Sequence, residues 1–164
     1  MYAAPGTQAT AAASEETYIH PLLIGGLSQV DMRTEDSLAT RDRRLREAAF
    51  PRTWDRRVRL HLSVHGTTIL WWSFDSKNGQ PLSVREVLDA IRTALQTATV
   101  LPPGHPLTTT VAAACARRRG RTPRMMDFYG PADKLLLMRL VRRTDAFGAV
   151  YYDVDLVPWS RSRA

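Results

Sequence analysis

The feature that most constrains the fold is a strict alternation of apolar with charged or polar side chains over residues 57–64. Val58, Leu60, Leu62 and Val64 alternate with Arg57, Arg59, His61 and Ser63. Successive side chains of a strand point to opposite faces, so this pattern predicts a strand with one buried and one wet face. A sheet with one wet face is typical of antiparallel pairing.

A second strand is predicted directly after the turn sequence at 65–68. Over residues 69–75 the side chains of Leu70, Trp72 and Phe74 share one face, while Trp71 lies on the other. The short connection predicts that the two strands pair as a hairpin. One tryptophan then belongs to the core, and the other is a mild sign of an interaction surface.

Two helices follow the hairpin in the sequence. Ser83 and Glu86 have the spacing of a capping box, which predicts a helix over 83–97 with its apolar residues on one stripe. A second helix is predicted over 107–119, with Gly120 as the C′ residue that ends it. The single cysteine, Cys115, falls on the inner stripe of this helix, where a cysteine usually acts as a small apolar residue.

The remaining pattern predicts two further strands, over 135–142 and 150–157. Strands and helices that come in blocks indicate an α+β fold, here an antiparallel sheet of about four or five strands with two helices packed on one face. We expect a disordered Ala/Thr/Ser-rich tail over 1–18, a single domain over 19–158 and a frayed C-terminal tail over 159–164.

The charge of the chain is basic and unevenly distributed. The net charge is +7, and arginine supplies nearly all of the basic residues. Five arginines and no acid occupy residues 117–124; they are Arg117, Arg118, Arg119, Arg121 and Arg124. Arginine pairs bidentately with carboxylate and phosphate, so the run indicates an Arg-rich face for an anionic partner, an acidic protein or a nucleic acid. Two alternatives stay open: the cations complement the dipole of the preceding helix, or they pair with acids of this chain.

An enzyme that uses carboxylates from separate strands is the alternative to a non-enzymatic binding module. A deep pocket that collects Asp127, Asp153 or His61 would favour the enzyme. Asp153 and Asp155 alternate on one strand, but pairing with Arg139 or Arg142 across the sheet explains them as well. The pattern supports no catalytic residue.

Metal and cofactor sites have no clear signature in the sequence. His61 and His65 lie too far apart along a regular strand to bind one metal ion, and no paired cysteines complete a site. The phosphate-binding and dinucleotide-binding glycine motifs are absent from the sequence. We therefore predict neither a metal nor a cofactor.

Targeting signals are also absent from the printed sequence. The first residues lack the basic start and apolar stretch of a secretory signal, and no apolar run reaches the length of a membrane span. We expect an intracellular protein, cytoplasmic or nuclear, that does not enter a membrane.

Several short motifs, taken in order, resemble a fungal, mostly basidiomycete, family of small domains of unknown function. The motifs comprise residues 20–23, 31–33 and 48–51, the strand with Trp72, the apolar stripe of the 83–97 helix, and Arg124 with Asp127-Phe128 near Gly130. The resemblance spans roughly residues 19–157. It departs from the family pattern at Met125 and Met126, where the family prefers a single residue between the Arg and the Asp. The resemblance implies no activity and no ligand residues.

Overall fold

The computed structural model describes residues 18–25, 30–34, 42–51 and 56–161. Its strands and helices, in chain order, are β1 (Arg57–Val64), β2 (Thr67–Asp75), α1 (Val84–Gln96), α2 (Thr108–Arg117), β3 (Lys134–Thr144) and β4 (Val150–Trp159). Short 3-10 helices lie at Pro21–Ile24, Arg43–Arg46 and Met125–Tyr129. Residues 1–17 and 162–164 of the predicted tails lie outside the described residues.

The four strands form one sheet in the order β2-β1-β4-β3. β1 pairs antiparallel with β2, and β3 pairs antiparallel with β4, so both predicted hairpins are present. At the centre of the sheet, however, β1 and β4 run parallel, where Leu60 to Leu62 face Tyr152 to Val154. The α+β class with two helices is confirmed, but a purely antiparallel sheet is wrong. A turn fixes only the pairing within its own hairpin; how two hairpins meet depends on the longer crossover between them.

The helices cover one face of the sheet. The predicted alternation places Leu60 opposite Trp72 and Leu62 opposite Leu70, all on that face. Leu88 and Ile91 of α1 are fully buried in the same core. α2 packs beside them through Val111, in a smaller apolar cluster that also holds Val64. Because Val64 continues the buried face of β1, both helices lie on the same side.

The ends of the two helices differ from each other. α1 begins with the predicted capping box: the Ser83 N–H donates to Glu86 Oε2 at 2.8 Å, and the Glu86 N–H donates to Ser83 Oγ at 3.3 Å.

Neither α1 nor α2, nor any other helix in the described ranges, is long and apolar enough to cross a bilayer.

The C-terminus of α2 corrects one prediction. Arg119, with φ 57°, is the left-handed residue, and Gly120 follows it. The Arg119 N–H donates to Ala116 O at 2.9 Å and the Gly120 N–H to Cys115 O at 3.0 Å, a Schellman arrangement with Arg119 at C′. Gly120 as C′ was therefore wrong by one residue, and the glycine serves another purpose in the structure, described below.

The two outer strands have different surroundings. At the β3 edge, Asp31 forms an antiparallel bridge with Leu136, and the Met32 N–H donates to Leu135 O at 2.7 Å. The segment around Asp31 thus meets β3 through one bridge. Along the outer edge of β2, none of the described residues pairs with the strand.

Candidate functional site

A cavity of about 430 Å³ lies between the end of α2, the 3-10 helix Met125–Tyr129 and the segment that covers the β3 edge. Its charged lining consists of four arginines and two aspartates: Arg33, Arg117, Arg118, Arg124, Asp127 and Asp133. Three of the four arginines belong to the predicted run. Since the cations outnumber the acids, the cavity is suited to an anion.

A buried ion pair forms the wall of this cavity. Asp127 is only 2% exposed. Its Oδ2 lies 2.8 Å from Arg118 Nη2 and accepts the Arg124 backbone N–H at 2.8 Å, while its Oδ1 accepts from Arg118 Nε at 3.2 Å. The hydrogen bond to Asp127 raises the pKa of Arg118. This pair anchors α2 to the following 3-10 helix, because a buried carboxylate without such partners would be strongly unfavourable.

Gly120 leaves the space that Arg118 needs to reach Asp127. A Cβ atom at residue 120 would lie 2.6 Å from Cζ of Arg118 and 2.7 Å from its Nη2. The guanidinium also donates to Thr122 O at 2.9 Å, so it has little freedom to move aside. The absence of a Cβ atom at residue 120 therefore leaves room for the Arg118 guanidinium.

Arg33 and Arg117 each have an acidic partner. Arg117 pairs with Asp133 through Nη2 and Oδ1. Arg33 lies 3.3 Å from Asp31, and its Nη1 donates to Ala132 O at 2.6 Å. These contacts place both guanidinium groups at the cavity and offset much of their charge.

Arg124 differs from the other three arginines of the cavity. Its Nη1 donates to the neutral amide oxygen of Gln96 at 2.5 Å, and among the described residues its side chain has no acidic partner. Its backbone is fixed by a bridge to Ala98 at the end of α1. Within the described part of the chain, the guanidinium of Arg124 is therefore the one at the cavity that no carboxylate pairs with.

The predicted run is thus only partly gathered at the cavity. Arg117, Arg118 and Arg124 line it, whereas Arg119 and Arg121 are exposed and do not. Sequence reasoning missed Arg33, which reaches the cavity only because its segment pairs with β3. Arg33 belongs to the 31–33 motif of the resemblance, but nothing local connects it to the arginine run.

Comparison with known families covers the whole of this site. The chain matches the sequence profile of a family of unknown function, DUF6699, over residues 27–153. It belongs to that family. The match includes every charged residue that lines the cavity and confirms the resemblance to a family of unknown function. Neither a curated protein nor a solved structure matches the chain.

The carboxylates of the enzyme alternative do not meet in this DUF6699 domain. Asp127 lies in the arginine-lined cavity, whereas Asp153 and Asp155 line a separate cleft of about 400 Å³. His61 lines neither space; it stacks on Tyr151 with ring centroids 4.1 Å apart, and burial lowers its pKa. Asp127 and Asp153 therefore belong to different cavities of the described part of the chain.

The two β4 aspartates pair with arginines of β3. Asp155 lies 3.7 Å from Arg139, as predicted, and Asp153 lies 3.3 Å from Arg143. Arg142 as a partner was wrong, because it faces the other side of the sheet, where its guanidinium lies 4.9 Å from the Tyr18 ring. The register shift between Leu137 and Arg139 changes which residues face each other along β3.

Metal ligands do not cluster in the described ranges. No group of three or more His, Cys, Asp or Glu side chains there could hold a metal ion. Cys115 is buried, and its Sγ lies 3.3 Å from Gly120 O, in keeping with its predicted place on the inner stripe of α2.

Proposed function

We propose that this chain is a non-enzymatic binding module whose arginine-lined cavity takes a carboxylate group from an acidic segment of a partner protein. The observation that carries the proposal is Arg124, a guanidinium at the cavity whose side chain has only the neutral Gln96 as a described partner. A carboxylate in the cavity would accept hydrogen bonds from Arg124 and gain from the positive surroundings.

The chemistry of the lining favours an acidic protein over a nucleic acid. Binding of single strands uses aromatic side chains on which bases stack, and the residues that line the cavity include no aromatic side chain. Duplex binding uses a basic surface that follows many phosphates, whereas three of the four lining arginines already have acids of this chain as partners. A cavity with one free guanidinium suits a single carboxylate.

Arg119 and Arg121 complete the proposed face outside the cavity. Both are exposed, and neither has an ion-pair partner among the described residues. Exposed charges of this kind speed the encounter with an oppositely charged partner more than they hold it in place. We assign them to steering, and Arg117 and Arg118 to the shape of the site.

The proposal also covers the origin of the protein and its location in the cell. The resemblance implies a fungal origin, and an acidic partner protein would be met in the cytoplasm or the nucleus. Imaging of a fluorescent fusion in a fungal cell tests this part: fluorescence confined to membranes or to the medium would contradict it.

The test of the binding function is the anisotropy of a labelled glutamate-rich peptide titrated with the protein, at low and at physiological salt. The wild type should bind, with affinity that falls as salt rises. Arg124→Gln should weaken binding by about tenfold, because a charge-assisted hydrogen bond is lost. The melting temperature should hardly change, since the Arg124 side chain has no buried ion pair.

The matched control is Arg85→Gln on α1, outside the cavity lining, which should leave peptide affinity nearly unchanged. Labelled DNA, single-stranded and duplex, serves as the competing class of ligand. Tighter binding of DNA than of the peptide would replace the proposed partner by a nucleic acid. Equal losses with the two variants, or no salt-dependent binding at all, would show that the cavity is not the site.

A further inference from the structure

Among the described residues no segment covers the outer edge of β2, and the strand's one irregularity is a register shift at Ile69. The strand spans 9 residues, and its sequence TTILWWSFD contains no lysine, arginine or proline. An outer strand exposes unpaired N–H and C=O groups, and a long apolar one readily pairs with another chain. Natural proteins place charges, prolines or covering segments there, as Asp31 and Met32 do at the β3 edge.

An apolar groove of about 570 Å³ runs beside this edge, between β2 and α1. Leu70, Trp72 and Phe74 form the strand side of the groove, and all three are only half-buried. Ala90 and Ala94 lie on the helix side, where their small side chains leave the space open. The volume falls within the range of small-ligand pockets, about 300–1,000 Å³.

The charge around the groove is opposite to that of the chain as a whole. Three acids, Asp75, Glu86 and Asp89, line it against one cation, Lys77, in a chain of net charge +7. The ion pairs of Asp75 with Arg57, at 3.4 Å, and of Asp89 with Arg92, at 3.6 Å, are long. Both aspartates are exposed, so a basic ligand would compete with these weak pairs.

We propose that the β2 edge and this groove bind an extended peptide segment of a partner protein, added to the sheet as a fifth strand. Main-chain hydrogen bonds to the outer edge of β2 would hold the peptide, and alternate apolar side chains would enter the groove over Trp72. Basic residues of the peptide would lie at the end marked by Asp75 and Asp89. This surface is separate from the arginine-lined cavity, which shares none of its lining residues.

The proposal is tested by NMR with the ¹⁵N-labelled full chain and a synthetic peptide, acetyl-Lys-Val-Arg-Val-Thr-Val-amide. Addition of the peptide should shift the amide signals of β2 and of the α1 face at Ala90 and Thr93. The β2 amides that face outwards should exchange more slowly with deuterated solvent, because they gain hydrogen bonds. A peptide with alternate N-methylated residues, which cannot form these bonds, should produce neither effect.

Three variants locate the binding surface. Ala90→Phe fills the groove and should weaken peptide binding by more than about tenfold, a loss of ~1.4 kcal/mol or more. Its control, Ala112→Phe, adds the same side chain at an exposed position of α2 and should leave the affinity unchanged. Asp89→Asn should weaken binding of the basic peptide but not of a version with glutamine in place of lysine and arginine.

Three results would overturn the proposal. Equal binding of the N-methylated peptide would show that the groove acts without strand addition. Absence of shifts along β2 with the Lys-Val-Arg-Val-Thr-Val peptide would show that the edge does not accept an extended segment of this chemistry. A concentration-dependent dimer in sedimentation, abolished by Ala90→Phe, would assign the edge to a second copy of the chain.

Discussion

The two outer strands of the sheet both present unpaired backbone N–H and C=O groups at their outer edges. The two edges differ in whether another segment of the chain pairs with these groups. At the β3 edge, Asp31 and Met32 pair with the strand, and the Asp31 carboxylate also accepts the Leu135 N–H at 3.0 Å. At the β2 edge no described residue pairs with the strand, and an apolar groove lies beside it. A segment of the chain bridges to one edge, and none of the described residues pairs with the other.

The comparison teaches that each edge determines the chemistry of the site next to it. The segment that closes the β3 edge brings Arg33 to Ala132 and thereby completes the arginine-lined cavity. The open β2 edge leaves Trp72 half-buried and keeps the groove apolar with acidic residues at its rim. A cationic cavity and an acidic groove on one small domain are suited to different ligands, so the two sites are separable by mutation.

The largest expected effect concerns the ion pair that supports the cavity on the closed side. Arg118→Ala leaves the Asp127 carboxylate buried without its cation. Removal of one partner from a buried pair lowers the free energy of unfolding by about 3–5 kcal/mol. Because a quarter of the Arg118 side chain is exposed, we expect the lower end of that range. Urea unfolding followed by tryptophan fluorescence measures the change.

Arg117→Ala is the matched control for this variant. The neighbouring guanidinium is half-exposed and pairs with Asp133 near the surface. Its loss should lower the free energy of unfolding by less than about 1 kcal/mol. Similar losses for the two variants would mean that Asp127 does not depend on Arg118, and the cavity would lack the rigid wall inferred here.

A smaller effect is expected from opening the closed edge. The Asp31 carboxylate accepts the backbone N–H groups of Leu135 and Arg33. Asp31→Ala leaves the Leu135 donor without its side-chain acceptor, and the free energy of unfolding should fall by about 1–3 kcal/mol. Hydrogen exchange at Leu135 should become faster, whereas exchange along β2 should stay the same.

Asp75→Ala provides the comparison at the open edge. The Asp75 side chain is 64% exposed, and its one ion pair is long. Its removal should change stability by less than about 0.5 kcal/mol. If instead Asp75→Ala were as destabilising as Asp31→Ala, the β2 edge would be held by contacts of its own, and the contrast between the edges would disappear.

The sequence was sufficient for the elements whose signals are local. The alternation in β1, the turn after it and the capping box at Ser83 each act within a few residues. The alternation and the capping box are present as predicted, whereas the turn occupies only 65–66 of the predicted 65–68, because β2 begins at Thr67. The parallel pairing of β1 with β4 could not be predicted in this way, because it joins residues that lie far apart in the sequence, such as Leu60 and Tyr152. No local pattern specifies how the two hairpins meet.

The candidate site follows the same division. The arginine run was visible in the sequence, but the differences between its arginines depend on contacts with residues that are distant in the sequence. Arg118 is buried against Asp127, Arg124 reaches Gln96 across 28 positions of sequence, and Arg33 comes from a different segment. Charge clustering predicted a candidate site at 117–124, and tertiary contacts distinguish Arg118, which pairs with Asp127, from Arg124, which has no acidic partner among the described residues.

The last pair of variants tests the end of α2, next to the cavity. Arg119 has φ 57°, a backbone conformation that is unfavourable for a side chain with a Cβ atom by roughly 1–2 kcal/mol. Glycine removes this strain but has a freer unfolded chain, so Arg119→Gly should raise the free energy of unfolding by about 0.5–1 kcal/mol. Thermal unfolding at matched salt measures it, and peptide binding in the cavity should persist.

A substitution at the neighbouring Gly120 should lower the free energy of unfolding, whereas Arg119→Gly should raise it. Gly120→Ala places a Cβ atom against the Arg118 guanidinium, which Asp127 and Thr122 hold in place. Overpacking of this kind lowers stability by about 1–3 kcal/mol. Because Gly120 has no left-handed backbone, the loss would come from space alone and should shrink in an Arg118→Ala background. A loss that persisted there would mean that residue 120 is constrained by its backbone, and that Arg118 reaches Asp127 by another route.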